Sequence, residues 1–179
     1  RDVYKRQVSY GIKIRVQLLR DLGPSASPFN AFLIAQGLET LSLRVERHVE
    51  NAQKVATFLE NHDQVTHVNY AGLESSPYNA LAKQLLPKGA GAVLSFDIAG
   101  GYDAAVKFVE ALELHSHVAN IGDARSLVIH PASTTHSQLS EDAQGKSGVN
   151  PALVRLSVGL EGVDDIIADL EKGFAAARG

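Results

Sequence analysis

Three groups of polar residues stand in this sequence where a packed core does not require them. Arg155 interrupts the apolar run Leu153-Val154-Arg155-Leu156-Ser157-Val158. A guanidinium on a strand can turn toward a pocket and grip a carboxylate through two parallel hydrogen bonds, which a lysine ammonium cannot reproduce. An ordinary outward-facing arginine is the alternative. Asn120-Ile121-Gly122-Asp123 joins a glycine that permits a tight turn to backbone amides able to cradle an anion, and a plain turn explains it equally well. His130-Pro131-Ala132-Ser133-Thr134-Thr135-His136 is dense in hydroxyl and imidazole groups just past a strand candidate, a composition shared by binding loops and ordinary loops.

Other chemistries find little support. His115 and His117 stand two apart on a strand candidate, and His130 and His136 have no carboxylate at matching spacing, so no metal site is expected. With 0 cysteines, disulfides, thiolate ligands and thiol catalysis are excluded, and a reducing, cytoplasmic setting is expected. Glycines 89, 91, 100 and 101 form neither G-x-G-x-x-G nor a phosphate-loop motif. A net charge of −3 has no sign excess to steer the chain to nucleic acid or an anionic membrane. No apolar run approaches the ~18 residues of a membrane span.

The elements that must position these residues follow from periodicity. Ile14, Leu18 and Leu22 recur at helical spacing until Gly23-Pro24, which predicts a helix with a partly buried face over 10–22. Ser27-Pro28 is a helix start, and Gly37 predicts a kink within the long helical region that follows. Beyond it Leu41, Val45, His48, Val49, Ala52, Val55, Ala56 and Leu59 form one stripe. Strands are expected at 65–70, 92–98, 117–119, 127–129 and 153–158, with helices opening at Ser76-Pro77 and after Gly100-Gly101. Most connections between the later strands are too short for crossover helices, which predicts a largely antiparallel sheet. Val163, Ile166, Ile167, Leu170 and Phe174 mark a closing helix able to cover one face of it. The class is therefore α/β with an α+β layout.

The chain contains 0 methionines and opens on the unpatterned Arg1-Asp2-Val3-Tyr4-Lys5-Arg6-Gln7, which reads as a non-native junction over 1–7. The expected organisation is then a helical segment over 8–62 and a small α/β domain over 63–179.

The stretch Ala119-Asn120-Ile121-Gly122-Asp123-Ala124-Arg125-Ser126-Leu127-Val128-Ile129-His130-Pro131-Ala132-Ser133-Thr134-Thr135-His136, followed by Val154-Arg155-Leu156-Ser157-Val158-Gly159-Leu160-Glu161, resembles the C-terminal domain of the Cys/Met-metabolism enzymes that use pyridoxal phosphate (PLP). Ser27-Pro28-Phe29-Asn30-Ala31-Phe32, Gly37-Leu38-Glu39-Thr40-Leu41 and Leu85-Leu86-Pro87-Lys88-Gly89-Ala90-Gly91 extend the resemblance in the same order. Asn120-Ile121-Gly122-Asp123 stands where cystathionine synthases and lyases usually show Ser-Leu-Gly-Gly, which points to the sulfhydrylase branch.

The resemblance implies the C-terminal domain of fold type I PLP-dependent transferases: a mostly antiparallel sheet with helices packed on it, after a helical segment leading from the cofactor domain. It assigns the substrate carboxylate to Arg155, assisted by Asn120, with Thr135 lining the same pocket. It also implies γ-replacement on O-acetyl-L-homoserine, where sulfide displaces acetate to give homocysteine, in a homo-oligomer with pyridoxal 5′-phosphate as cofactor. The family's Schiff-base lysine lies in a Ser-x-Thr-Lys-like segment upstream of Tyr10. No lysine here has that context, Lys5 included, so no catalytic, cofactor-binding or metal residue is expected in this chain, which alone would be inactive. A cystathionine γ-synthase or γ-lyase relative, and a non-catalytic domain that docks on a full-length homologue, are the competing readings.

Overall fold

A computed structural model describes residues 9–179, so the junction expected over 1–7 and Lys5 lie outside the described residues. The chain divides between Leu41 and Ser42 into two units. The break falls inside the helical segment expected over 8–62, and on the second unit's side of it His48, Asn51, Ala52, Val55, Ala56 and Leu59 are buried.

In the first unit, helix α1 spans 9–22, with Ile14–Leu19 wound as a π-helix, and stops at Gly23, whose φ of 59° is left-handed. Helix α2, Pro28–Glu39, is capped by Ser27, whose Oγ accepts from Asn30 N at 3.1 Å. Gly37 lies within α2, and the interruption comes instead at Thr40, where ψ of 7° leaves the helical region. The partly buried face expected over 10–22 is not found: Ile14, Leu18 and Leu22 are exposed. They align at helical spacing, but two helices alone supply no second layer to cover them.

The second unit is built on a five-stranded sheet in the order β1-β2-β5-β4-β3. Its strands are β1 (Val65–Asn69), β2 (Val93–Ile98), β3 (Ser116–His117), β4 (Leu127–Ile129) and β5 (Leu153–Ser157). The β1/β2, β2/β5 and β5/β4 pairs are antiparallel, as expected, whereas β3 runs parallel to β4. The third strand is shorter than predicted and stops at His117, since Val118 N turns back to Ser116 O at 2.9 Å. Three helices accompany the sheet: α3 (Leu41–Glu60), α5 (Gly101–Glu110) and α7 (Val163–Ala177). Two short ones, α4 (Asn79–Leu85) and α6 (Glu141–Lys146), sit in connections, and α6 was not foreseen.

Strand alternation separates the two faces of this sheet. Leu94, Phe96, Val128, Val154 and Leu156 share one face and are buried in a single core with Ala52, Val55, Phe108, Ile166, Leu170 and Phe174 from the helices. Phe174 is its hub: the ring packs against Phe108 at 4.7 Å and Phe96 at 6.0 Å between centroids, and His62 stacks on it at 3.8 Å. Gly173 beside it is as tightly placed, because a Cβ there would lie 2.8 Å from the Phe108 ring.

A buried pair fastens α7 to the start of β3. Asp169 Oδ2 lies 2.8 Å from His115 Nδ1 and accepts from His115 N, while Oδ1 accepts from Glu113 N at 2.9 Å. Burial holds the His115 imidazole below its ordinary pKa against the pull of Asp169. Burial also works to raise the Asp169 carboxyl, yet the bonds from the His115 ring and from backbone N–H groups keep it below the usual value.

Phe174→Ala removes a fully buried ring that its neighbours cannot replace by collapse. The expected loss is about 3–5 kcal/mol of unfolding free energy, read as a lowered urea midpoint with an unchanged slope; a midpoint within error of the parent would contradict the packing described.

Candidate functional site

Arg155 stands on the middle strand. Its ladder partners are Ser95 on β2 and Ile129 on β4, and these three occupy the face opposite the helix-covered core. That face bounds a cavity of about 340 Å³, lined among others by Val93, Ser95, Ile129, Thr135, His136 and Arg155. Strand β5 thus presents Val154 and Leu156 to the core and Arg155 between them to the cavity side.

Arg155 is half-buried and its guanidinium Nη2 donates to the Asn120 carbonyl at 2.9 Å. Its Nε is buried and has no hydrogen-bond partner among the described residues. A buried cationic donor left unpaired is costly, and an acceptor of opposite charge satisfies it best. The Asn120 side chain is spent locally, since Oδ1 accepts from Ile121 N at 2.9 Å. Gly122 N donates to Ser157 Oγ at 3.3 Å and Arg125 N to Asp123 Oδ1 at 3.0 Å. The amides of Ile121 and Gly122 that the sequence offered as an anion cradle are therefore already engaged, and what the turn delivers is a carbonyl.

Thr135 is exposed and lines the cavity with Arg155; its hydroxyl shares a hydrogen bond of 2.9 Å with His136 Nδ1. Arg155 and Thr135 thus come together in one cavity, and Asn120 meets Arg155 from outside its lining. His130, by contrast, is a buried brace. Nε2 donates to the Pro151 carbonyl at 2.8 Å, which leaves Nδ1 to accept from Ser133 Oγ at 2.9 Å, while Thr134 Oγ1 donates to the His130 carbonyl at 2.7 Å. Burial holds this imidazole below its ordinary pKa, as the neutral tautomer requires.

Sequence reasoning passed over the residues that support this arrangement. Ser126 N and Oγ both donate to the Glu161 carboxylate, at 2.7 and 2.9 Å, and Ser126 Oγ accepts from Gly159 N at 2.9 Å. From the helix side, Asn51 Nδ2 donates to the carbonyls of Gly159 and Glu161, both at 3.0 Å, and His48 Nδ1 lies 2.7 Å from the Val158 carbonyl. A polar residue within the apolar stripe of α3 was the one available signal, and it was legible for His48 but not for Asn51. Among the described residues no group of three His, Cys, Asp or Glu side chains could hold a metal ion.

A family model of the Cys/Met metabolism PLP-dependent enzymes matches residues 5–175. The chain belongs to that family. An O-acetyl-L-homoserine sulfhydrylase of Corynebacterium glutamicum is 58% identical over 168 residues, which cover 94% of this chain and 38% of the relative. A homocysteine synthase of Schizosaccharomyces pombe is 52% identical over 170 residues, 95% of this chain and 40% of the relative. Among solved structures, one described as an O-acetylhomoserine (thiol)-lyase from Campylobacter jejuni, which carries a pyridoxyl-lysine phosphate, superposes with a TM-score of 0.84 at 46% identity over 93% of this chain and 40% of that one. A cystathionine γ-synthase of Xanthomonas oryzae gives 0.79 at 39% identity over 88% of this chain and 40% of that one.

The fold is thus that of the PLP-dependent fold type I enzymes, and the chain spans about two fifths of the length of the curated relatives it matches. The cavity beside Arg155 is lined by hydroxyls, an imidazole and a guanidinium but by no lysine. Its donors suit an anionic acceptor, and among the lining residues there is no amine to which the family's cofactor could be attached.

Because His115 and His130 are held below the ordinary histidine value of 6.5, the unfolded chain takes up protons in acid that the folded one refuses. Stability is expected to fall as pH drops through about 6.5, and Asp169, whose pKa is also lowered, extends the loss into the carboxylate range. Urea midpoints measured between pH 7.5 and 5 should decline, and His130→Gln should flatten part of that slope; a midpoint flat across this range would contradict the neutral buried imidazoles.

Proposed function

We propose that this chain is the C-terminal part of an O-acetyl-L-homoserine sulfhydrylase in which Arg155 holds the substrate α-carboxylate, assisted by Asn120, with Thr135 lining the same pocket. The observation that carries the reading is the buried, unpartnered Nε of Arg155 beside a cavity that Thr135 also lines. The names of its relatives support the same branch. In the reaction the Cγ–O bond of O-acetyl-L-homoserine breaks, a Cγ–S bond to sulfide forms, and acetate and homocysteine leave.

Pyridoxal phosphate, when bound, supplies the electron sink that activates the carbon chain. The residues of this chain bind and orient. Arg155 has two donor edges, and Nη2 anchored on the Asn120 carbonyl restrains how the guanidinium can turn. A carboxylate paired to the remaining N–H groups is held in one orientation, which keeps Cα and Cγ at a set distance from the reacting groups. Thr135 adds a hydroxyl whose direction is constrained by His136.

The same reading places the enzyme in the cytoplasm as a homo-oligomer. Among the described residues no helix is long and apolar enough to cross a membrane.

A full-length protein carrying this sequence is expected to form homocysteine from O-acetyl-L-homoserine and sulfide; consumption of cystathionine alone would move the reading to the γ-lyase branch. In that protein Arg155→Lys should raise KM for the amino acid about tenfold or more with a smaller change in kcat, because the two-pronged grip is lost. Unchanged KM and kcat would remove Arg155 from the site. If the chain instead co-purified with a full-length homologue and restored no turnover, the docking-domain reading would take its place.

A further inference from the structure

Arg155 does not choose its own orientation: Nη2 is tied to the carbonyl of Asn120, which lies in the connection between β3 and β4. Something must hold that connection against β5. Gly122 N to Ser157 Oγ, at 3.3 Å, is long, and Leu160 N to the Ala124 carbonyl, at 2.9 Å, is one neutral bond. The strongest attachment lies at its far end, where the Glu161 carboxylate takes both the backbone N–H and the hydroxyl of Ser126, the latter residue being fully buried. Bonds to an ionised acceptor are roughly twice as strong as neutral ones.

The backbone is shaped for this contact. A Cβ at Gly159 would fall 2.4 Å from Ser126 N and 2.5 Å from the Arg125 carbonyl carbon, so the two segments approach as closely as only glycine allows. Glu161 in turn is steadied from α3, since Asn51 donates to its carbonyl. A continuous run of contacts therefore joins α3 to Glu161, Glu161 to Ser126, and the 120–126 turn to the guanidinium.

We infer that Glu161 is a positioning residue for substrate recognition: through Ser126 it fixes the Asn120 carbonyl, and through that carbonyl it sets the orientation of Arg155. It touches no substrate. The inference rests on the carboxylate reading of Arg155 and adds to it the group that makes the guanidinium plane rigid. Glu161→Ala releases the turn, and Arg155 then meets a carboxylate from several orientations, so binding weakens although every donor remains.

The test is a double-mutant cycle on ligand affinity, in full-length protein loaded with pyridoxal phosphate. L-Norleucine, which has a carboxylate but no leaving group on Cγ, is titrated calorimetrically into the parent, Glu161→Ala, Arg155→Lys and the double variant. Each single substitution should raise Kd by about tenfold, and Glu161→Ala should add less than about twofold in the Arg155→Lys background. Glu161→Gln keeps one neutral acceptor for Ser126 N and should fall between the parent and Glu161→Ala. If Glu161→Ala does not fold, as its circular dichroism would show, Ser126→Ala, which removes the hydroxyl's bonds and keeps the backbone one, carries the cycle with a smaller expected loss of about threefold.

An unchanged Kd in Glu161→Ala alongside a weakened Arg155→Lys overturns the positioning role alone. An equal loss in both backgrounds shows that Glu161 acts on the fold at large and also overturns it. An Arg155→Lys variant that binds as the parent does overturns the carboxylate reading, and the positioning role falls with it.

Discussion

A guanidinium on the middle strand of a sheet cannot be left to solvent or to chance. Strand β5 has neighbours on both sides, so the side chain of Arg155 has no open sheet edge beside it. The folded chain meets this constraint by bringing a backbone carbonyl, that of Asn120, to Nη2 and leaving Nε without a partner, in a side chain that lines a cavity. A carbonyl carries no net charge, so the arrangement stops short of neutralising the arginine. A carboxylate side chain in the same place would have paired it fully and closed it to a ligand.

That solution requires the sheet to be unlike on its two faces. Helices α5 and α7 cover the face bearing Phe96, Val154 and Leu156, and the aromatic cluster around Phe174 supplies the apolar burial that holds the strands together. The opposite face can then carry Ser95, Ser157 and Arg155 without being asked to form a second core. The polar bonds that His48 and Asn51 make to the carbonyls of Val158 and Gly159, just past β5, come from α3, which also contributes Ala52, Val55 and Leu59 to the core. One helix therefore serves both packing and placement.

Much of this was legible in the sequence, for reasons that differ from element to element. The strands expected at 65–70, 92–98 and 153–158 are found at 65–69, 93–98 and 153–157, the first of them marked by alternation and β-branching, and the helix at Val163 followed from a full apolar stripe. Arg155 stood out because a lone charge in an apolar strand needs a reason. The parallel pairing of β3 with β4 was not legible, since a two-residue strand has no pattern and its direction depends on how Ser116 N meets the Ser126 carbonyl. His130 read as a candidate for chemistry and is instead a brace, because imidazole in a loop looks the same in sequence whether it faces a ligand or the Pro151 carbonyl. Ser126 and Glu161 gave no sign at all: they are 35 residues apart and only the fold makes them neighbours.

The position of β5 in the chain carries a consequence for how the protein comes into being. The sheet order β1-β2-β5-β4-β3 places the last strand in sequence at the centre in space. As the polypeptide leaves the ribosome, β1 with β2 and β3 with β4 can each pair early, but the two halves have no edge in common until β5 slots between them. Until then two strand edges stand bare and the aromatic hub on α7 is not yet made, the condition under which nascent chains aggregate or recruit chaperones. The strand that bears Arg155 is thus also the keystone of assembly, and any chain cut short before it is left with two unjoined hairpin-sized fragments instead of a weakened domain.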